Sequence, residues 1–365
     1  MNATLKGVWR YWMFPSELNV VEVELALNQG EVVKAVTMEL KLGDEDKAKT
    51  LLDVSLTPTD ERLVRLDNLM PLLRDATTDA MDGIAPQTLV LKVENHECGS
   101  CKLVPCRVRL ARATAEDVVR KSFLNFTGRE VKLLPPDARE VLYWYLTDDW
   151  SAGTQACVDA CWWNAATKEV RAKQQLLEVE TTESGGLLKV DVSPKVLEAP
   201  ADGEWSLVSY SVRVNARVMR YRMVQQGRNL APVTGVRYRN AFGVDDTFYF
   251  FGSVEEKLKP TYSAARIGGV TRNYLITAQT EWEANTGHMT LAMERLLRDL
   301  AVARRAWLMG DDEEIVLTGC DVKQSNEWCV APVATVSWRE AGDGARLASP
   351  VGVRTFDGSF DEAFF

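Results

Sequence analysis

Apolar and polar residues alternate with a period of two along much of the first 118 residues. The alternating stretches lie at 21–27, 36–42, 52–56, 89–93 and 107–110. Alternation at this period is typical of half-buried antiparallel strands. A short helix is expected at 66–73, near Pro71. The pattern therefore predicts that residues 1–118 form one β-sandwich domain.

The same pattern continues from residue 119 to residue 232. Strands are predicted at 141–146, 156–163, 169–180, 187–192 and 205–224. Glycine-containing turn signals at 184–186 and 200–203 separate them. Several strands separated by turns at this spacing predict a second β-sandwich domain, of fibronectin-like type, over residues 119–232.

The last third of the chain, residues 233–365, combines strands with one helix. Residues 236–252 contain six aromatics and two glycines, and they predict a hairpin that turns at Phe242-Gly243. Further strands are expected at 272–283, 314–318 and 333–339. Apolar residues then recur at spacings of 4, 3, 4, 3 and 4, which is typical of one helix face ending at Gly310. They are Met289, Met293, Leu296, Leu300, Ala303 and Trp307.

The fold class that follows is mainly β. We predict two N-terminal β-sandwich-like domains, followed by an α+β domain with one long helix packed on an antiparallel sheet. The apolar stripe of this helix can pack on its own domain's sheet or contact a neighbouring subunit. A length of 365 residues suits two or three domains.

Charge and hydropathy exclude some classes of function. The formal net charge of −9 argues against direct reading of nucleic acid. Arginines between 213 and 222 alternate with apolar residues, which favours a strand with one solvated face over a phosphate-tracking stripe. Neither a signal-peptide core nor an apolar run of membrane-spanning length is present, so we expect folding in a reducing cytoplasm without a membrane span.

One cluster of potential metal ligands stands out. His96, Cys98, Cys101 and Cys106 lie within 11 residues, and a Cys₃His zinc site needs such a set. Alternatively, Gly99-Ser100 forms a two-residue hairpin turn that the first two cysteines flank. A disulfide is the third reading. Free buried thiols are the expected state of most of the seven cysteines, and no cofactor is predicted.

Catalytic patterns are scarce in this sequence. The chain has two histidines and lacks the GxSxG, Walker, GxGxxG and HExxH motifs. Acidic pairs at 148–149, 245–246 and 311–312 are expected in solvated turns, although two carboxylates across a cleft would suit a glycosidase. We therefore expect no catalytic residues, and a glycoside hydrolase is the weakest hypothesis.

The order of features from Phe123 to Arg339 resembles structural tail proteins, distal-tail or baseplate hub-like, of tailed bacteriophages and prophages of gut anaerobes. The residues that carry the resemblance are Arg237, Asn240, Phe242, Asp245 and Gly252, then 272–274, 286–287 and the helix around 296–300. The resemblance implies a non-enzymatic structural component of the virion tail, assembled in the host cytoplasm. Such a protein would form a homo-oligomeric ring and dock to other tail or baseplate proteins.

Two further expectations concern binding. The chain ends in Phe364-Phe365, which we expect to insert into a neighbouring subunit. The alternative function is a carbohydrate-binding adhesin or receptor-binding module, in which surface tryptophans among the eleven in the chain would hold a host-surface glycan. Tryptophans are more often used in cores and subunit contacts.

Overall fold

The structure of the protein is a computed structural model. It describes residues 2–7, 9–26, 35–43, 48–59, 62–78, 85–108, 110, 113–125, 131–147, 150, 153–182, 186–224, 233–267, 269–287, 289–310, 312–323 and 333–342. Over these residues the chain is mainly β, as predicted.

The first part of the chain is a pair of sheets, which we call the first sheet pair. Its elements are β1 Asn2–Lys6, β2 Trp12–Met13, a 3₁₀ turn at Pro15–Glu17, β3 Val20–Ala26, β4 Val36–Leu42, β5 Lys49–Leu56, β6 Leu63–Asp67, α1 Leu69–Thr78, β7 Gln87–Val93 and β8 His96–Leu103. Within the described residues, one sheet has the order β1-β3-β6 and the other β2-β8-β7-β4-β5.

Alternation explains why these two sheets pack together. The inward residues of β3, such as Val23, share one core with those of β4 and β7, such as Met38 and Leu91. The strand predictions at 21–26, 36–42, 52–56 and 89–93 are confirmed where the residues are described. The strand predicted at 107–110 is wrong, because Arg107 instead leaves the sheet and its N–H donates to the Ala241 carbonyl at 2.9 Å.

A second sheet pair follows. Its elements are α2 Ala115–Lys121, β9 Val131–Leu134, β10 Val141–Tyr145, β11 Gln155–Asn164, β12 Glu169–Glu178, β13 Glu180–Thr181, β14 Leu187–Asp191, a 3₁₀ turn at Pro194–Val196, β15 Ser206–Val214 and β16 Arg217–Met223. Among the described strands, the orders are β10-β14-β13 and β12-β11-β15-β16-β9. The single strand predicted at 205–224 is in fact two, because the chain reverses at Asn215, whose φ is 52°.

The last part of the chain forms one large sheet, which we call the C-terminal sheet. Its elements are β17 Thr234–Arg239, β18 Asp245–Phe250, β19 Val254–Ile267, β20 Val270–Asn285, α3 Leu291–Ala301, β21 Ala306–Leu308, β22 Glu314–Lys323 and β23 Val333–Glu340. The described strands have the order β18-β17-β21-β22-β23-β20-β19.

Helix α3 is shorter than the sequence predicts. It begins after Thr290, whose hydroxyl accepts from the Met293 N–H at 3.3 Å, and it ends at Ala301. The prediction that it continues to Gly310 is wrong, because Trp307 lies on β21 and pairs with Arg237 of β17. Ladder hydrogen bonds of the sheet replace the last helical turns.

The apolar stripe of α3 packs on its own sheet. Met293, Leu296 and Leu300 are buried in a core formed with strands of the C-terminal sheet. The Tyr238 hydroxyl donates to the Leu296 carbonyl at 3.2 Å, which ties helix to sheet. No helix in the described part of the chain is long and apolar enough to cross a membrane. The predicted boundary at residue 118 falls inside α2, and the three-domain division stays a prediction.

Candidate functional site

The hairpin of β17 and β18, which we call the aromatic hairpin, is the point where the three parts of the chain meet. Its strands pair from Thr234–Phe250 to Arg239–Asp245 and it turns at 240–244, so the hairpin prediction is confirmed. The Asn240 carboxamide oxygen accepts from the Phe242 N–H at 3.0 Å and the Val244 N–H at 3.3 Å. Its amide group donates to the Leu124 carbonyl at 2.8 Å. One side chain thus shapes the turn and ties it to the segment after α2.

The tip of the aromatic hairpin is buried in an apolar cluster that we call the junction. Phe242 and Val244 come from the hairpin, and the Phe242 ring lies 6.3 Å from the Phe14 ring between centroids. The other buried members come from the first sheet pair, the connecting segment with α2, and the second sheet pair: Trp12, Phe14, Val104, Cys106, Ala115, Val118, Val119, Leu124, Tyr145 and Leu187. The junction therefore joins all three parts through shared burial.

A buried ionic cluster lies between the second sheet pair and the C-terminal sheet. Lys132 Nζ donates to a Glu140 carboxylate oxygen at 2.9 Å, to Asp246 Oδ1 at 3.1 Å and to Thr247 Oγ1 at 3.0 Å. The three charged side chains are 2% exposed or less. Thr247 Oγ1 also hydrogen bonds Glu140 Oε1.

Burial and the neighbouring charges shift the pKa values in this cluster in opposite directions. Burial raises the pKa of Glu140, against the lowering effect of the Lys132 charge. For Lys132 burial alone would lower the pKa, but the Asp246 and Glu140 charges outweigh it and hold the pKa above its ordinary value. Each buried charge has an oppositely charged partner, so breaking the set by removing one member is far more costly than its net contribution suggests.

Further side chains tie the hairpin to its surroundings. Arg107 donates to the Arg239 carbonyl at 3.0 Å, and Arg217 donates to the Ser122 carbonyl at 3.1 Å and to the Val119 carbonyl. These contacts satisfy carbonyls at the end of α2 and at the hairpin turn that the junction removes from water.

Asp299 of α3 also holds the hairpin turn. Its Oδ2 accepts from the Ala241 N–H at 3.2 Å. Burial raises the pKa of Asp299 to about 7, although the hydrogen bond from Ala241 lowers it. The nearby Asp246 charge acts in the same direction as burial.

A cavity of about 180 Å³ opens beside the ionic cluster. Glu140, Asp246 and Tyr143 line it, together with Asp245 and Arg237. Asp245 pairs with Arg237 at 3.3 Å, and the other two acids share Lys132. The expectation that Asp245-Asp246 lies in a solvated turn is wrong, because both residues start β18 and Asp246 is buried. Each carboxylate is engaged by a neighbouring cation, which is the arrangement of a structural ion-pair network.

The predicted zinc ligands are distributed over different places. The chain turns at Glu94-Asn95, where φ is 50° and 65°, and β8 runs straight through Gly99-Ser100. The predicted turn at Gly99-Ser100 is therefore wrong. Two successive residues in the left-handed region are what a two-residue hairpin turn requires, and asparagine adopts that region readily.

The individual side chains confirm this separation. His96 is exposed, and Cys98 lies at the register shift opposite Leu91 and Lys92. Cys101 is buried in the core of the first sheet pair, whereas Cys106 is buried in the junction, where its thiol donates to the Val108 carbonyl at 3.2 Å. Burial raises the pKa of both thiols to about 12. Among the described residues no three histidine, cysteine or acidic side chains are grouped to hold a metal ion.

Of the other residues singled out in the sequence, some are described by the structure and some are not. Cys157 and Cys161 share the outer face of β11 and are partly buried thiols. The following lie outside the described residues: Asp148, Asp149, His288, Asp311, Cys329, Phe364 and Phe365.

The tryptophans of the described residues are used in packing. Five are buried, and the other five described are partly buried. Arginine side chains cover some of the rings, with Arg237 4.5 Å from the centroid of Trp307 and Arg171 4.6 Å from that of Trp205. An exposed platform of tryptophans is therefore not a feature of the part of the chain that the structure describes.

The longest strands form an arm. β19 and β20 pair along their whole length, but the ladder from β20 to β23 covers only Trp282–Asn285. Residues 258–267 and 270–280, which we call the arm, have no third strand among the described residues. At about 3.3 Å per residue the arm is roughly 30 Å long.

The two faces of the arm differ in chemistry. On one face Lys257 pairs with Glu283 at 2.6 Å, and Lys259 pairs with Glu281. On the other face Leu258 and Tyr262 are 60% and 58% exposed. Near the base of the arm this apolar face is the one that packs into the core under α3, through Val254 and Ala284. Among the described residues, the core-facing side of the sheet thus continues along the arm without cover.

Sequence reasoning recognised the aromatic hairpin but missed the arm and Lys132. The signal for the arm was present in the alternation of charges at 255–259 and 281–283 with Leu258 and Trp282. The burial of Lys132 had no local signal, because Glu140 is near in sequence but Asp246, which completes the cluster, is 114 residues away.

Comparisons with known proteins give weak similarities. No protein-family model matches the chain, and no curated protein matches it. The tail of an empty gene transfer agent particle with C6 symmetry is 12% identical, with 34% of this chain and 100% of that chain covered at a TM-score of 0.23.

Two further solved structures are similar at the same level. The virion of a native gene transfer agent particle is 10% identical, with 33% and 95% covered at a TM-score of 0.22. The extracellular region of plexin A4 is 10% identical, with 94% of this chain and 37% of that chain covered at a TM-score of 0.19. At these TM-scores the superpositions establish no shared fold.

Proposed function

We propose that this chain is a non-enzymatic structural component of a phage tail or baseplate, which oligomerises and docks to other tail proteins. The observation that carries the proposal is that a body with a buried junction and a buried ionic cluster bears an arm with an exposed apolar face. The junction and the Lys132 cluster hold the parts together, while the arm extends an apolar sheet face beyond its own core. A two-stranded hairpin has little stability of its own in water, so a partner surface would stabilise the part of the arm that extends beyond the sheet.

The resemblance to phage tail proteins supports this function at the same place in the chain. The block that carries it begins at Arg237 and ends at Gly252, and it includes the hairpin that holds the three parts together. Asn240 and Phe242, two residues of that block, shape and bury the turn. A tail component has to keep a rigid shape while it makes repeated contacts, and ring symmetry multiplies weak contacts.

Location in the particle tests the proposal. Antibodies raised against the purified chain are applied to phage particles from the source culture and seen by immunogold electron microscopy. We expect label on the tail or baseplate, with pre-immune serum as the control. Purified particles that carry neither label nor peptides of this chain would contradict the proposal. Retention on a glycan array, without label on the tail, would favour the adhesin.

We also propose that Phe364-Phe365 inserts into a neighbouring subunit. Two adjacent aromatic side chains offer a large apolar contact area. A chain truncated after Gly358 is expected to lose assembly while keeping its fold by circular dichroism. Normal assembly of the truncated chain would contradict the insertion, without affecting the location test.

A further inference from the structure

We propose that the apolar face of the arm docks across the outer face of the second sheet pair in a second copy of this chain. The receiving surface is the outer side of β12, β11, β15 and β16. This inference rests on the proposed function, since it names the contact through which copies would associate.

The arm needs a surface that covers its face. Leu258, Pro260 and Tyr262 occupy alternate positions of β19 and therefore point to one side. Glu256, exposed, precedes them on the same side. Pro260 has no N–H to donate, so the free edge of β19 cannot continue a regular ladder with another strand at that position. Docking by the face, with the edge left free, is the mode that this composition favours.

The receiving surface offers an apolar side and a basic side. On the outer strand β12, Val170 and Leu176 are 65% and 57% exposed, and Val170 pairs with the partly buried Trp163 of β11. On β16 the exposed Arg222 pairs with Ser209 of β15. The arginine-rich stretch is predicted to have one solvated face; Arg220 and Arg222 lie on that face of β16, whereas Arg217 is buried.

The spacing of charge and apolar groups matches between the two surfaces. From β16 to β12 there are three strand intervals, which amount to about 14 Å. Along the arm, Glu256 lies about 13 Å from Pro260 and about 20 Å from Tyr262, at roughly 3.3 Å per residue. An arm that crosses the strands with Glu256 at Arg222 therefore brings Pro260 over β12 beside Val170, while Tyr262 lies about 6 Å beyond that strand. Crossing at a steep angle is one of the two common ways in which sheets pack face to face.

Charge also favours a second copy as the occupant. The arm carries three basic residues, Lys259, Arg266 and Arg272, and no acidic one, so its formal charge is +3 and the rest of the chain, at a total of −9, carries −12. A basic arm is therefore attracted to an acidic copy of the same chain. The contact joins two different surfaces, so repetition gives a ring or a filament.

A charge swap tests the contact. Sedimentation velocity over a concentration series gives the association constant of the full chain and of three variants, Glu256→Arg, Arg222→Glu and the double variant. Each single change is expected to weaken association about tenfold, and the double variant to recover it, because every interface then pairs the exchanged charges. Val170→Asp is expected to abolish association. Val302→Ser is the matched control, since Val302 is 59% exposed at the end of α3 and belongs to neither surface.

The outcomes separate this inference from the proposed function. If the single changes leave the association constant unaltered, or if the double variant does not recover it, copies assemble by another contact and the arm contact is overturned. A wild-type chain that stays monomeric at every concentration overturns a second copy as the occupant. In both cases immunogold label on the tail decides the proposed function independently.

Discussion

Two successive hairpins of this chain, the aromatic hairpin and the β19–β20 hairpin, differ in how far they are buried. In the aromatic hairpin, β18 is buried along almost its whole length, and its turn is covered by the junction. In the second, apolar residues such as Leu258 lie in solvent. β17 of the first hairpin and β19 of the second both alternate in sequence, so alternation alone does not decide burial. The difference lies in what the rest of the chain places over each face.

A short connection couples the two hairpins. The Gly252 N–H donates to the Asn285 carbonyl at 3.1 Å, and a Cβ at Gly252 would lie 2.6 Å from that oxygen. Only glycine allows the two strands to approach so closely without a shift of the backbone. The base of the arm is therefore held against the end of the aromatic hairpin.

The largest expected effect breaks the ionic cluster. Lys132→Met leaves Glu140 and Asp246 buried without their cation, so the free energy of unfolding is expected to fall by about 3–5 kcal/mol. Chemical denaturation measures it. The matched control is Lys257→Met, which removes a lysine of an exposed pair on the second hairpin and should leave the denaturation midpoint unchanged. An equal loss in the free energy of unfolding in both variants would contradict the difference in burial between the two hairpins.

The next effect compares one aromatic residue from each hairpin. Phe242→Ala empties part of the junction and is expected to cost about 3 kcal/mol in the free energy of unfolding. Tyr262→Ala, on the exposed face of the arm, should leave the stability of the monomer unchanged and weaken only self-association. Thermal unfolding in dilute solution measures the first quantity. A Tyr262→Ala chain that unfolds as early as Phe242→Ala would contradict the assignment of the arm to a partner.

A smaller effect depends on pH at the turn of the aromatic hairpin. The folded pKa of Asp299 is about 7, above its ordinary value of 3.8, so its ionised form is disfavoured by folding. Its contribution to stability is fully present below about pH 4 and is lost as pH rises through about 7, at a slope near 1.4 kcal/mol per pH unit from this one group.

Asp299→Asn should remove that slope. Unfolding curves at pH 5, 6, 7 and 8 are expected to show a flatter pH dependence for the variant and a higher stability than wild type at pH 8. Asp312→Asn is the control, because Asp312 lies at the surface with its side chain 67% exposed. If the free energy of unfolding changes between pH 5 and pH 8 by the same amount in wild type and variant, the burial of a carboxyl group at this turn is contradicted.

Much of the architecture could be predicted from the sequence, for a local reason. Strands such as Val36–Leu42 and the aromatic hairpin are encoded by neighbouring residues, in alternation and in turn composition. The buried stripe of α3 follows from spacing in the same way. The mainly β fold class is therefore correct.

The errors arise where distant contacts decide the structure. Ala303 and Trp307 continue the helical spacing, yet pairing of β21 with β17 is what places Trp307 in a strand. Gly99-Ser100 has turn composition, but a turn already formed at Glu94-Asn95 leaves it inside β8. The candidate zinc ligands were close in sequence and fell into separate cores for the same reason.

Amide hydrogen exchange, followed by mass spectrometry at a low and a high protein concentration, tests the contrast between the hairpins most directly. We predict that peptides of the aromatic hairpin are protected at both concentrations. Peptides of the arm should exchange fast in dilute solution and become protected only when copies associate. Arm amides that are as protected in the dilute monomer as those of the aromatic hairpin would contradict the account.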